Sequence, residues 1–175
     1  MARSALESLA RILDGLGIEW MLFGALAANL YRAETRLTGD TDVLVASAER
    51  DGLDSALRSA GWEAFRATPD GSLLRIRHEK FGIADLVFSG TDYERVAIGR
   101  SRREELAAGL IIRVPTPEDV VVFKLIAGRA KDLADIESVL DANRPLDEAY
   151  IERWATEWDV ADRWRLLRSE HARRA

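Results

Sequence analysis

The stretch MLFGALAANLYRAETRLTGDTDVLV, residues 21–45, decides how the rest of the chain is read. It opens as an apolar strand ending at Phe23, breaks at Gly24, passes through the helical composition of Ala25 to Arg32, and sets Asp40 and Asp42 one residue apart at the entrance to Val43-Leu44-Val45. Alternate residues of a strand share a face about 7 Å apart, so both carboxylates aim at one point. At a separation near 6 Å and an effective dielectric of about 20 they repel by about 2 to 3 kcal/mol, less where solvent screens them. A divalent cation removes that repulsion. Taken alone, Thr38-Gly39-Asp40-Thr41-Asp42 also reads as a polar turn feeding a strand.

Around this stretch the pattern alternates strand and helix. Upstream, apolar residues at Leu6, Leu9, Ile12, Leu13 and Leu16 give a helix one inner face, and Gly17 ends it before a strand over Ile18 to Phe23. Downstream, Ser47 is a candidate N-cap with Glu49 close behind, and Leu53, Leu57 and Ala60 form the stripe of a helix stopped by Gly61. Trp62 to Thr68 and Ser72 to His78 flank Pro69-Asp70-Gly71, which predicts a hairpin because Gly71 supplies the positive φ of a tight turn. Phe81 to Phe88 is the next strand, residues 90–109 are mostly polar with the basic cluster Arg100 to Arg103, and Leu110 to Val114 is a last short strand. From Thr116, an N-cap followed by Pro117 and Glu118, the chain is helical, interrupted once at Asn143-Arg144-Pro145. The expected fold is α/β (α+β), a mixed sheet of about five strands flanked by helices with a helical C-terminal half. The expected organisation is one domain over 1–175: an α/β core over 1–114, with 115–175 a helical part packed on it.

Composition narrows the chemistry. A chain of 175 residues buries roughly 70% of the surface its unfolded form exposes. No apolar run reaches the ~18 residues that span a bilayer, and the first residues enter an amphipathic helix with no secretory core, so the expectation is a soluble, cytoplasmic protein without a membrane partner. With Cys 0, thiolate chemistry and cysteine metal sites are excluded, and with His 2 a multi-histidine zinc site nearly so. Any metal is then held by oxygen, which favours magnesium, manganese or calcium. A net charge of -5 argues against broad nucleic-acid binding without excluding a local basic groove.

Two further residues stand out. Asp85 lies inside Phe81-Gly-Ile-Ala-Asp-Leu-Val-Phe88, where an unpaired carboxylate is costly to bury. It is either salt-bridged to Arg75 or Arg77 across the hairpin, or a third metal ligand or base. Lys124 interrupts Val120-Val-Val-Phe-Lys-Leu-Ile126, so its ammonium either snorkels outward or meets a buried anion. With Gly128, Asp132 and Asp135 it falls on one helical stripe if no kink intervenes at Gly128-Arg129. Trp154, Trp158 and Trp164 read as packing residues of the terminal helices, and the basic end from Arg163 to Arg174 reads as a solvated face that could also follow an RNA backbone.

Gly24 after a strand, a short helix, Arg36-Leu-Thr38-Gly-Asp40-Thr-Asp42 opening a second strand, and Asp85 on a later one together resemble the nucleotidyltransferase superfamily of DNA polymerase β type. The stretch from Pro117 to Asp135, with Lys124 and then Lys131-Asp132-Leu-Ala-Asp135, looks most like the AbiEii-type nucleotidyltransferases, many of which are toxins of toxin-antitoxin or phage-defence pairs. The resemblance covers about residues 5–142. It implies an enzyme that moves an NMP from an NTP to an acceptor hydroxyl and releases pyrophosphate, with Asp40, Asp42 and Asp85 holding Mg2+ or Mn2+. It implies Asp40, Asp42, Asp85, Lys124 and Asp132 as catalytic residues. Gly24, Ala25, Arg36, Thr38, Lys124, Arg129 and Lys131 are then the nucleotide-binding set, with Gly24 admitting phosphate at the start of the short helix. A tRNA 3′ end as acceptor and a cognate antitoxin as partner follow from the AbiEii likeness; a small antibiotic-type molecule or a protein is the alternative acceptor. Ala25 stands where the pattern has a second glycine or a serine, and Thr41 where it has an aliphatic residue, so a lapsed module that only binds a nucleotide or partner is the rival reading.

Overall fold

The computed structural model describes residues 2–46, 50–107, 109–142 and 145–174. Ser47 and Glu49, expected at the start of a helix, and Asn143-Arg144, expected to break one, lie outside the described residues. The chain divides into two compact units, Met1–Leu26 with Leu37–Pro115, and Ala27–Arg36 with Thr116–Ala175.

In the first unit, α1 (Ala2–Gly15) buries Ala5, Leu6, Leu9, Ala10 and Leu13. Leu16, expected on the same stripe, is exposed because the helix stops at Gly15. β1 (Trp20–Phe23), β2 (Thr41–Val45), β3 (Glu63–Ala67), β4 (Leu73–His78) and β5 (Gly82–Phe88) build a five-stranded sheet in the order β1-β2-β5-β4-β3. The sheet is mixed: β2 and β5 run parallel, and the other neighbours are antiparallel. After β1 comes the short α2 (Gly24–Asn29), and the parallel pair requires a crossover, supplied by α3 (Arg50–Ser59) and the β3–β4 hairpin. That hairpin closes where the Asp-Gly pair places it, with Gly71 at φ +68° and Asp70 Oδ1 accepting from the Ser72 amide at 3.0 Å. Trp20, Met21, Leu22, Val43, Leu44, Ile76, Ala84 and Leu86 are fully buried and form the centre of the core.

The polar region after β5 holds more structure than its composition suggests. Thr91 and Glu94 form a capping box that starts α4 (Asp92–Arg100). Arg102–Ala107 then pairs antiparallel with Leu110–Val114, so the last short strand belongs to a separate two-stranded ribbon rather than to the main sheet. Arg102 and Arg103 of the basic cluster sit exposed on that ribbon.

The second unit is helical. Here α5 (Pro117–Ala127) starts at Thr116, whose hydroxyl accepts from the Asp119 amide, and ends at Gly128 in the left-handed region at φ +61°. It is followed by α6 (Ala130–Asp141), α7 (Glu148–Glu157) and α8 (Ala161–Arg174). The continuous helical stripe expected through Gly128 is therefore two helices joined by a tight turn. Trp154 and Trp164 are buried packing residues, while Arg165, Arg168 and Arg174 pair on the surface with Glu152, Glu148 and Glu137.

Candidate functional site

The carboxylate face of the first unit is fixed by strand register. Asp42 on β2 stands opposite Asp85 on β5, Asp85 opposite Arg75 on β4, and Arg75 opposite Arg66 on β3. Residues directly paired across a ladder share a face, so two acids and two arginines form one row across the sheet. Asp40 precedes Asp42 by two positions and is exposed; Asp42 is half-buried and Asp85 is buried. Thr41, between the acids, points to the opposite side and is fully buried, its hydroxyl without a hydrogen-bond partner among the described residues.

Gly24 touches this face from β1. It lies at φ +65°, and a Cβ there would run into Asp42 Oδ2 and stand 2.9 Å from its Cγ. Both the backbone conformation and the space demand glycine. The turn therefore presses against the carboxylate that register places beside Asp85.

Asp85 is not free. Arg75 Nε donates to Oδ1 at 2.6 Å and Arg75 Nη2 to Oδ2 at 2.5 Å, a bidentate pair. The guanidinium holds its proton above the ordinary arginine range, first through the hydrogen bonds to Asp85 and its charge, then through the charges of Asp40 and Asp42. Of the two outcomes open for Asp85, the structure shows the salt bridge to Arg75; Arg77 instead pairs with Glu63.

In the second unit Lys124 is buried, and it meets anions rather than snorkelling. Its Nζ donates to Asp132 Oδ1 at 2.9 Å and to Asp135 Oδ2 at 2.8 Å. The left-handed turn at Gly128 folds α6 back so that both acids reach the lysine without a continuous helix. Asp132 is fully buried, which alone would raise its pKa; hydrogen bonds from Arg129 and Lys124 outweigh the burial and hold it below the ordinary carboxylate range. Asp135 also accepts from Arg32 at 2.6 Å and lies 3.5 Å from Arg36 Nη2. Arg36 is pinned by Asn29, whose side chain donates to the Arg36 carbonyl at 2.7 Å and accepts from its amide at 3.0 Å. The cluster thus sets Lys124, Arg129, Arg32 and Arg36 around two carboxylates, an excess of positive charge.

The remaining expected residues are less engaged. Thr38 Oγ1 makes only a 3.5 Å contact with the Asp40 carbonyl, Ala25 is half-exposed in the short helix Gly24–Asn29, and Lys131 is exposed on α6. Arg32 carries no sequence signal: it lies 103 positions from Asp135, and no local pattern links them.

No protein-family model and no curated protein matches the sequence. Solved structures do match by shape. The crystal structure of the lincosamide antibiotic adenylyltransferase LnuA, lincomycin-bound, superposes with a TM-score of 0.60 at 14% identity, covering 79% of this chain and 96% of that one. The chain has the nucleotidyltransferase fold. The solution structure of the antibiotic-resistance factor ANT(2'')-Ia gives 0.57 at 15% identity over 99% of this chain and 100% of that one. An antigenic nucleotidyltransferase-like protein from Paracoccidioides brasiliensis gives 0.54 at 19% identity, covering 81% and 74%.

A divalent cation, implied by the resemblance, can be weighed against the residues of this fold. Carboxylate oxygens suit a hard cation, and the absence of a Cβ at Gly24 lets the Asp42 carboxylate pack against the turn. Asp40 and Asp42 supply donors of that chemical type. Among the described residues, however, no three acidic or histidine side chains are gathered closely enough to hold one. Asp85, expected as the third ligand, has both oxygens engaged by Arg75.

Proposed function

We propose that the chain is a Mg2+-dependent nucleotidyltransferase, moving an NMP from an NTP to an acceptor hydroxyl with release of pyrophosphate. The observation that carries this reading is the Gly24–Asp42 contact: a glycine demanded by both φ and space, set against a carboxylate in register with a second one. Asp40 and Asp42 would hold the ion, and Asp85 completes the anionic face beside them. The ion, when bound, supplies charge neutralisation on the triphosphate. The chain's own groups do the rest. Gly24, Ala25 and Thr38 would meet the nucleotide beside the acids of the first unit; in the second unit Arg36, Arg129 and Lys131 are exposed cations. Lys124 is committed to Asp132 and Asp135 through two of its three N–H donors, so its part is to hold Asp132 ionised and fixed.

For the acceptor, a small antibiotic-type molecule is favoured, because LnuA is by name a lincosamide antibiotic adenylyltransferase and ANT(2'')-Ia an antibiotic-resistance factor, and the latter covers 99% of this chain. A tRNA 3′ end, with the toxin role and cognate antitoxin it entails, is the second reading; the Lys124 and Lys131-Asp132-Leu-Ala-Asp135 pattern supports it. The test incubates the chain with each α-labelled NTP, Mg2+, and in turn an aminoglycoside, a lincosamide and total tRNA. Label should enter one acceptor, and Asp40→Asn with Asp42→Asn should cost on the order of a thousandfold in rate, several kcal/mol of charge stabilisation. Label transfer to no acceptor, together with no thermal shift on adding NTP, would defeat the enzyme reading and leave a binding module.

A further inference from the structure

We propose that Asn29 is a positioning residue: together with Asp135 it holds Arg36 ready for a polyphosphate anion. Calling that polyphosphate an NTP rests on the nucleotidyltransferase reading; the clamp and its test do not. Asn29 ends α2 and grips the backbone of Arg36, its Nδ2 donating to the Arg36 carbonyl at 2.7 Å and its Oδ1 accepting from the Arg36 amide at 3.0 Å. A single side chain thus satisfies both main-chain groups of a loop residue. Between these two residues the loop is tied to α6, where the Ala33 amide donates to the Ser138 carbonyl at 2.9 Å and Arg32 Nη1 to Asp135 Oδ1 at 2.6 Å. Arg36 therefore extends from a backbone that is already fixed.

The guanidinium is placed without being used up. Asp135 is buried, and its Oδ1 accepts from Arg32 and its Oδ2 from Lys124 at 2.8 Å. Arg36 Nη2, 3.5 Å from that Oδ2, feels the charge of the carboxylate without a hydrogen bond to it. Among the described residues the Arg36 guanidinium donates no hydrogen bond, and its side chain is 40% exposed. Arg32 differs, being 12% exposed and committed to Asp135. The planar fork of N–H donors on Arg36 matches the oxygens of a phosphate group. An arginine on a free loop loses backbone freedom when it binds an anion; one whose backbone is already clamped loses less, and the difference appears as affinity. Asn29 then acts on the anion only through Arg36.

The test titrates the full chain with sodium tripolyphosphate by isothermal calorimetry, in EDTA so that no divalent ion takes part. Wild type should bind it, and Arg36→Gln should weaken binding at least tenfold. Asn29→Ala should weaken it at least fivefold while Arg36 is present, and Asn29→Ala/Arg36→Gln should match Arg36→Gln within about twofold. An asparagine that merely supports the fold would lower affinity by the same factor in both backgrounds. Asn29→Ser, neutral and too short to span both Arg36 groups, takes its place in the cycle where Asn29→Ala does not fold. No binding by wild type, a smaller loss in either single variant, or equal losses from the Asn29 substitution in both backgrounds would overturn the proposal. The expected pattern without label transfer from any NTP would leave the clamp standing and remove the transferase reading; label transfer by a wild type that binds no tripolyphosphate would do the reverse.

Discussion

Lys124 on α5 donates to Asp135 on α6 at 2.8 Å, and it does so across the left-handed turn at Gly128. The same ammonium reaches Asp132 at 2.9 Å, so one buried cation ties two buried anions on the next helix. Such a group stabilises the joint less by its net energy than by what its loss would leave behind.

Lys124→Met removes the ammonium and keeps the apolar stem. Removing one partner of a buried ion pair costs about 3 to 5 kcal/mol. Here the expected cost is at the lower end, about 3 kcal/mol, because Asp132 keeps Arg129 and Asp135 keeps Arg32. A urea melt measures it; a change below about 1 kcal/mol would show that the two arginines suffice without the lysine.

Much of this architecture is legible in the residues themselves. Gly24, the Asp-Gly hairpin and the Thr116-Pro117 helix start each carry a local physical signal, and each appears where that signal puts it, whereas Asp40 lies just ahead of the strand that begins at Thr41. The Arg75–Asp85 pair was one of two outcomes that a hairpin register could produce, and only the register itself decides between Arg75 and Arg77. Arg102 to Leu106 pair as a strand with no apolar alternation, because the ribbon leaves all of them exposed and burial imposes no period. The Gly128 turn hides inside a run whose flanking residues are good helix formers, and Arg32 meets Asp135 through tertiary folding alone.

Gly24→Ala tests the contact that carries the functional reading. A non-glycine residue in the left-handed region costs roughly 1 to 2 kcal/mol, and the new methyl must displace the Asp42 carboxylate. The expected outcome is a modest loss of melting temperature with a larger loss of function: at least tenfold in Mn2+ affinity and in label transfer. Unchanged Mn2+ affinity in a folded Gly24→Ala chain would separate the glycine from the carboxylate face.

Thr41 offers the opposite sign. It is fully buried, and its hydroxyl finds no partner among the described residues. Leaving a buried hydroxyl unsatisfied costs about 1 to 3 kcal/mol. Thr41→Val keeps the shape and removes the polar group, so it should stabilise the chain by about 1 kcal/mol in a denaturant melt. A destabilised variant would mean that the hydroxyl is satisfied in solution.

Asp70 supplies a prediction with a pH axis. Hydrogen bonds from the Thr68 hydroxyl, then from the Ser72 amide and hydroxyl, lower its pKa from 3.8 to about 2. A carboxyl whose folded pKa lies below its unfolded one contributes stability that is fully present above about pH 4 and is lost as the pH falls toward 2. Asp70→Asn removes the charge and keeps an acceptor oxygen. The gap in stability between wild type and variant should therefore be constant from pH 7 to about pH 5 and close as the pH approaches 2. Thermal melts across that range measure the gap, and the Ser72 amide shift gives a direct check, titrating with a midpoint near 2 if the turn holds the carboxylate and near 4 if it does not.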